Sequence, residues 1–510
     1  MARASHFVAA AFALAAAGSA SEAHAQSTYR LSPVGGRTTL VGGTGLVYGH
    51  DSASAFLNPA TVVRVDSSRL AFSVNFYYFS VTRAGAWYQP GDIDQRFGDV
   101  RRDSGTSLST IDFDSLPGSL CVFFQVHNIP FLSWSTRQDL KERQARLGMC
   151  LASINYDQFT FNAEDYQQQT PLGLTRQAQN IRQTFRRLAV GPSYSMYVTN
   201  ALAIGVSTHF SRTSHRSLFG ATATTYGNST GPITSSYYNF SRGDSHEFNT
   251  TLGAFYRIGA HQTVAIALES PSVHLFGSGG LNHHSQFAGS ENGASTFTAQ
   301  GDFTTNTPPR IAIGTGVERP WGTAELNVSW RPATQAAYSA DFDGRSFTVA
   351  KDGSTADVIQ KADLKVRASG GVNLGFGGEV FLNPRLSLLG GLSLDSSIVP
   401  KGTLKNDPLN YHIARAQRVG LSFGVGSHGE GGDLLLGFEG SYSWGERLAP
   451  NVYQLPTRVD VTDHQTWGVL FVLAGSTSFR NLRRTVNEVT KAFDPSGDPK
   501  KEPPKNEEKK

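Results

Sequence analysis

Gly420-Leu421-Ser422-Phe423-Gly424 spells G-x-S-x-G, the pattern of a nucleophilic serine. Such a serine sits on a sharp strand-to-helix turn, with its hydroxyl exposed beside a base. Here Val419, Leu421, Phe423 and Val425 alternate with Gly420, Ser422, Gly424 and Gly426, which places Ser422 inside a strand. His274, His283 and His284 stand in or beside a Gly/Ser-rich stretch. Metal ligation is open to them, but a solvated loop accounts for them better. No Cys-x-x-Cys, P-loop or dinucleotide fingerprint is present, and no cofactor or metal is expected. Arg257, Arg310, Arg331 and Arg367 fall on strand faces expected to look inward. A guanidinium can hold a carboxylate head group bidentately. Alternatively, each pairs with Glu269, Glu318, Glu325 or Glu439 inside the fold. Phe255, Leu389, Leu435, Leu470 and Val472 are apolar on similar inward faces, which suits a hydrophobic ligand. Cys121 and Cys150 can form a bond in an exported protein or stay as two thiols.

The elements that position these residues are strands. With 510 residues the chain can build a large ordered body, and a mean hydropathy of −0.26 argues against a helical membrane protein. Arg3, the apolar run from Phe7 to Ala17 and Ala23-His24-Ala25 predict a signal peptide over residues 1–25. The net charge is +4, of which residues 480–510 supply +3, so the body is nearly neutral and shows no nucleic-acid stripe. That final stretch begins with helical spacing at Leu482, Val486, Val489 and Phe493. It ends in a Pro-rich charged run expected to be a disordered periplasmic tail.

Period-two alternation begins at Leu70, Phe72, Val74, Phe76 and Tyr78. It recurs at Val264-Ile266-Leu268, Ala324-Leu326-Val328-Trp330, Leu386-Leu388-Leu392 and Leu434-Leu436-Phe438, and through Trp467-Val469-Phe471-Leu473. One face is aliphatic or aromatic, the other small or polar. Short turns fall near His127, Thr199, Gly259, Pro320, Asn383 and Gly429. Long polar loops are expected at 83–116, 138–180, 212–245, 277–302, 340–362, 398–410 and 448–460. Strict alternation of short and long connections gives an all-β fold, a transmembrane antiparallel barrel of about fourteen strands over 69–479. Trp321, Trp330, Trp444 and Trp467 fall near strand ends, where an aromatic girdle belongs.

Before the first strand lies Gly42 to Val65, GGTGLVYGHDSASAFLNPATVVRV. Gly42, Gly43, Gly45 and Gly49 permit close backbone approach, and Asn58-Pro59 marks a turn. The order of Gly42-Gly43-Thr44-Gly45, Asp51, Ser52-Ala53-Ser54-Ala55 and Asn58-Pro59-Ala60 resembles the N-terminal hatch of the FadL/TodX-type family of outer-membrane transporters. Thr61 stands where that family usually has glycine. Glu269-Ser270-Pro271 is similar to a Ser-Pro step of the family, and Phe479 resembles the terminal aromatic of an insertion signal, although the chain continues past it. The resemblance implies a plug over residues 26–68, with Gly42, Gly43, Gly45, Asp51, Asn58, Pro59 and Ala60 shaping it. It implies passive uptake of long-chain fatty acids or similar hydrophobic molecules by a monomer in outer-membrane lipid, with both termini periplasmic. Phe255, Arg257, Arg310, Arg331, Arg367, Leu470 and Val472 are then the candidate ligand contacts. Family members open sideways through a glycine-bearing kinked third strand; the strand expected third here, Phe131 to Gln138, has no glycine. A lipid-hydrolysing barrel and a structural or adhesive barrel are the competing readings.

Overall fold

A computed structural model describes residues 34–84, 108–126, 145–170, 173–226, 232–288, 293–350, 352–402, 414–429, 431–451 and 458–483. The expected signal peptide, residues 26–33 of the expected plug and residues 484–510 of the tail lie outside them.

Fourteen antiparallel staves make the wall. The first six are single strands: β1 (Arg69–Ala84), β2 (Leu108–Val126), β3 (Ala145–Thr170), β4 (Gly173–Tyr197), β5 (Leu202–Tyr226) and β6 (Pro232–Ile258). Each of the next four staves consists of two strands in line. These are β7 (Gln262–Glu269) with β8 (Val273–Ala288), β9 (Gly293–Thr305) with β10 (Arg310–Arg319), β11 (Gly322–Arg331) with β12 (Thr334–Val349), and β13 (Thr355–Ala368) with β14 (Gly371–Asn383). β15 (Leu386–Asp395), β16 (Arg415–Gly429), β17 (Gly432–Asn451) and β18 (Arg458–Ser478) complete the set. β1 pairs with β18 from Arg69↔Ser478 to Ala84↔His464, which closes the barrel.

The breaks have a covalent cause in three of the four staves. Pro271, Pro308-Pro309 and Pro332 supply no N–H to the ladder; the fourth break falls at Ser369-Gly370. They line up across the sheet. β7, β10, β11 and β14 pair with one another in the lower tier, on the side of the short turns, and β8, β9, β12 and β13 do so above. Local bonds close the seam: the Ser272 and Thr307 amides donate to each other's residue at 3.0 and 2.8 Å. Side-chain parity flips across three of the breaks. Glu325, Asn327 and Arg331 are buried in β11 but Tyr338, Ala340 and Phe342 in β12; Val366 and Ala368 are buried in β13 but Glu379 in β14. In β9 and β10 the change runs from Phe303 and Thr305 to Arg310 and Ala312.

The outer face of the lower tier is an apolar belt. Ile266, Leu268, Ile311, Ile313, Phe376, Leu392, Leu421, Phe423, Leu434, Leu436, Phe438 and Phe471 are all exposed. A continuous band of this kind is stable only against lipid. Trp321 marks its lower rim; Trp330, Trp444 and Trp467 stand towards the upper one. Above the belt several expected loops are strands. β3 and β4 stay paired to Thr170↔Gly173, and β5 and β6 to Tyr226↔Pro232. The described residues of 277–302 and 340–362 pair as β8–β9 and β12–β13. Alternating hydrophobicity reports lipid contact and stops at the membrane edge, whereas backbone pairing does not. For the same reason the third stave is β3, which contains Gly148, and Phe131 to Gln138 lies outside the described residues. The last strand ends at Ser478, and Phe479 opens a helical turn.

Candidate functional site

Residues 34–66 lie within the barrel. Their sequence favours no strand: glycines and small residues give short helices at Gly36–Leu40 and Ser54–Leu57 and a 3-10 turn at Pro59–Arg64. Gly42, Gly43 and Gly45 take φ of 71°, 77° and 146°, a region costly for any side chain. Asp51 accepts from the Thr38 and Ala53 amides, both at 3.0 Å, and so folds the segment on itself. Asn58 is fully buried. Its Oδ1 accepts from Ala60 N at 3.1 Å, and its Nδ2 donates to Leu46 O at 2.7 Å, with Pro59 opening the 3-10 turn.

The wall is shaped to receive this backbone. A side chain at Gly253 would overlap Asn58, one at Gly205 would overlap Pro59-Ala60, and one at Gly377 or Gly391 would overlap Val41-Gly42. Polar wall groups then take up the segment's amides and carbonyls. The Glu325 carboxylate accepts from Gly45, Val47 and Tyr48 N–H at 2.9, 2.9 and 3.0 Å. Ser422 Oγ accepts from Gly42 N and donates to Leu40 O, both at 3.0 Å. Its hydroxyl is a clip on an extended strand rather than a nucleophile on an elbow. Arg146 donates to Val65 O at 2.7 Å. Arg37 of the segment bonds Glu379 at 2.8 Å.

The four candidate arginines separate. Arg310 and Arg331 are buried and converge on one carboxylate, Glu269, at 2.9 and 2.7 Å. Arg310 also donates to Phe56 O and Leu57 O at 2.9 and 3.1 Å, so it holds the segment. Arg257 and Arg367, expected inward, are exposed. Arg257 keeps the inward parity of Thr251, Gly253 and Phe255, but it lies at the rim, where that direction meets water. Arg367 has the inward parity of β14; the break at Ser369-Gly370 turns it outward. Among the expected glutamate partners, Glu318 lies 3.7 Å from Arg64, Glu439 bonds Arg418, and Glu325 serves the backbone. Phe255, Leu389, Leu435, Leu470 and Val472 are buried inside. Phe255 faces Arg64, whose guanidinium lies 4.6 Å from its ring centre; Leu470 and Val472 pack with Leu40 and Val41. Leu389 and Leu435 belong to the same apolar cluster as Leu40 and Val41 of the segment. Cys121 and Cys150 face each other across β2 and β3 and are joined as a disulfide. His274 bonds Ser245 at 3.0 Å and His283 packs edge-on against Tyr237, both within strands.

Solved structures share this barrel fold. A FadL homologue from Pseudomonas aeruginosa matches with a TM-score of 0.53 at 13% identity, over 90% of this chain and 100% of its own. The Pseudomonas putida toluene transporter TodX matches at 0.52 and 12%, over 89% and 100%. No family model and no curated relative matches the sequence. The chain has the FadL/TodX-type fold.

In this FadL/TodX-type barrel the lumen above the segment is lined differently. Phe297, Phe303, Tyr338, Phe342 and Val366 form a buried apolar cluster. His215 stacks on Tyr338 with ring centres 5.4 Å apart. Between the tiers is a cavity of about 70 Å³, bounded by Leu46 and Leu57 of the segment and by Arg310, Asn327, Asn373 and Asp395 of the wall. The Oδ1 atoms of Asn327 and Asn373 are buried there without protein partners, which suits ordered water in so small a polar space. His50 of the segment lies with Nδ1 3.1 Å from Tyr48 O. Its pKa is below the ordinary imidazole value, because burial disfavours the cation and the Arg37 guanidinium repels it. Sequence reasoning missed Glu325, Glu379, Arg37 and Arg146 as anchors; the only signal was glycine on inward strand faces.

Proposed function

We propose that this chain is an outer-membrane channel for passive uptake of hydrophobic small molecules, with residues 34–66 as a plug. The observation that carries it is a buried, strand-free segment held inside a lipid-belted barrel, beneath an aromatic chamber. The fold is shared with a protein described as a toluene transporter. Long-chain fatty acids and aromatic hydrocarbons are the ligand classes to compare, taken up by a monomer with periplasmic termini. Buried Arg310 and Arg331 share Glu269, so a ligand carboxylate would have to compete with it for their guanidinium groups. A lipid hydrolase is disfavoured because the Ser422 hydroxyl is engaged by the Leu40 carbonyl and the Gly42 amide. A structural barrel with a fixed plug predicts no uptake.

The test is deletion of Thr38 to Asp66, read by conductance in planar bilayers and by ligand uptake in cells. Conductance to small ions should rise, since a barrel of about fourteen strands has room for more than its own side chains. Selective uptake should fall. A deletion variant that assembles but conducts like wild type would show that the segment is no plug. Wild-type cells that accumulate no hydrophobic compound would remove the transport reading.

A further inference from the structure

Strand register puts like charges face to face on the outer wall. Arg216 of β5 and Arg242 of β6 are direct cross-strand partners, and both are exposed. Arg182 and Arg186 of β4 are exposed on the same face, two residues either side of Thr184, which pairs with Arg216. Arg212, opposite Leu188 and diagonal to Arg186, is exposed as well. Side chains directly opposite lie about 4.5–5.5 Å apart at Cβ, and diagonal ones about 7–8 Å. The five guanidinium groups therefore share one patch. Like charges directly opposite destabilise a sheet unless a counter-charge joins them. Among the described outward residues of these strands Asp244 is the one acidic group, and Arg212 holds it at 3.0 Å. Further carboxylates begin at Asp302 of β9 and Asp341 of β12, beyond the uncharged Ser278 and Gly280 of β8.

The patch also has a fixed height. Below it the same strands face outward with Leu188 and Val190 on β4, Ile204 and Phe210 on β5, and Phe248 and Leu252 on β6. Met196, near the lower rim, is ten residues from Arg186. At ~3.3 Å per residue and ~40° of tilt that is about 25 Å along the barrel axis, the height of a barrel's apolar band. The arginines thus stand where hydrocarbon gives way to head groups. Above them Asn180, Thr222 and Tyr238 are exposed and offer hydrogen bonds to hydroxyl groups.

We propose that this face of β4, β5 and β6 binds a phosphate-bearing glycolipid of the outer leaflet, resting on the periplasmic placement of the termini proposed above. The phosphate lies between Arg216 and Arg242, with Arg182, Arg186 and Arg212 around it. A guanidinium group meets phosphate oxygens through two parallel N–H···O bonds. The acyl chains continue down over Phe210 and Phe248, and the sugar meets Asn180 and Tyr238. Free phosphate would find the same arginines but would leave the apolar rows below them unused. Those rows commit the site to a lipid.

The experiment titrates the full-length protein in detergent with diphosphoryl lipid A, with the same lipid after dephosphorylation, and with inorganic phosphate alone, read by native mass spectrometry. Arg186→Gln/Arg216→Gln/Arg242→Gln should weaken binding of the diphosphoryl lipid by about fivefold for each arginine removed, about a hundredfold in all. Lysine at the same three positions keeps the charge and loses the paired bonds, so it should fall between. Arg345→Gln, which removes an exposed arginine paired with Asp357 elsewhere on the wall, should change nothing. Equal affinity in wild type and the glutamine variant overturns the site, and so does equal binding of the dephosphorylated lipid. Binding of inorganic phosphate without binding of the lipid overturns the lipid assignment. Should the glutamine variant lose heat-modifiable migration, a photoactivatable diphosphoryl lipid A on wild-type protein decides instead. Label on peptides of β4, β5 and β6 supports the site; label confined to other staves overturns it. Binding in detergent needs neither orientation nor transport. Its failure leaves the uptake reading standing, and a channel that takes up no hydrophobic compound leaves this site standing.

Discussion

Below the strand breaks the lumen is filled by backbone; above them it is filled by side chains. In the lower tier residues 34–66 press against wall glycines, and their amides and carbonyls meet Glu325, Ser422, Arg310 and Arg146. In the upper tier aromatic and aliphatic groups meet each other. Directional bonds fix one position and are costly to leave unmade. Apolar contact tolerates exchange. On the proposed reading, the lower tier stays closed until several of these bonds yield together.

The sharpest way to break this contrast is Glu325→Ala. It strips the acceptor from three buried amides, and at about 1–3 kcal/mol for each unmet group the segment loses at least ~3 kcal/mol. Conductance should rise towards that of the deletion variant. Glu325→Gln, with one oxygen left, should fall between. Unchanged conductance in the alanine variant would mean that the bonds do not hold the segment.

Gly253→Ala tests the fit from the wall side. The added methyl overlaps Asn58, and overpacking of this kind costs about 1–3 kcal/mol. Residues 34–66 should become more accessible to protease, and the same substitution at Gly440, where the added methyl would meet only Leu421 O at 3.9 Å, should do nothing. Equal protease resistance in both variants and wild type would remove the close-fit argument.

Phe303→Ala tests the other tier. Aromatic contacts contribute about 0.5–1.5 kcal/mol beyond area burial, so uptake of an aromatic hydrocarbon should fall about two- to tenfold. Conductance should stay at the wild-type level, because no lower-tier bond is touched. A Phe303→Ala channel that leaks would show the tiers to be one unit.

The smallest expected effect is on pH. The folded pKa of His50 lies below that of the unfolded chain, near 6.5. The unfolded state therefore binds more protons in acid, and stability is full above about pH 6.5 and falls as pH drops below it. Protease protection of residues 34–66 should weaken mildly from pH 7 to pH 5 and be flatter in His50→Gln. A wild-type profile as flat as the variant's would exclude His50 as the cause.

The sequence by itself determined the barrel, its fourteen staves and the five short turns near Thr199, Gly259, Pro320, Asn383 and Gly429. Lipid contact on one face and turn chemistry at one end both leave a local, periodic trace. It also determined that Gly42 to Val65 has no strand character, since its glycines and Asn58-Pro59 act within a few residues. Only the tertiary structure decided what faces what. Breaks in the ladder shifted parity, so Arg331 points inward as expected while Arg367, before the break at Ser369-Gly370, points outward. Backbone pairing ran on past the membrane edge, where the apolar signal ended, and turned expected loops into ribbons. Arg310 and Arg331 found the same glutamate, and Ser422 became a clip for Gly42, 380 residues away. Such partners are set by the closure of the sheet. No spacing along the chain records them, because a side chain's inward partner is fixed by stave order and register, not by the residues beside it.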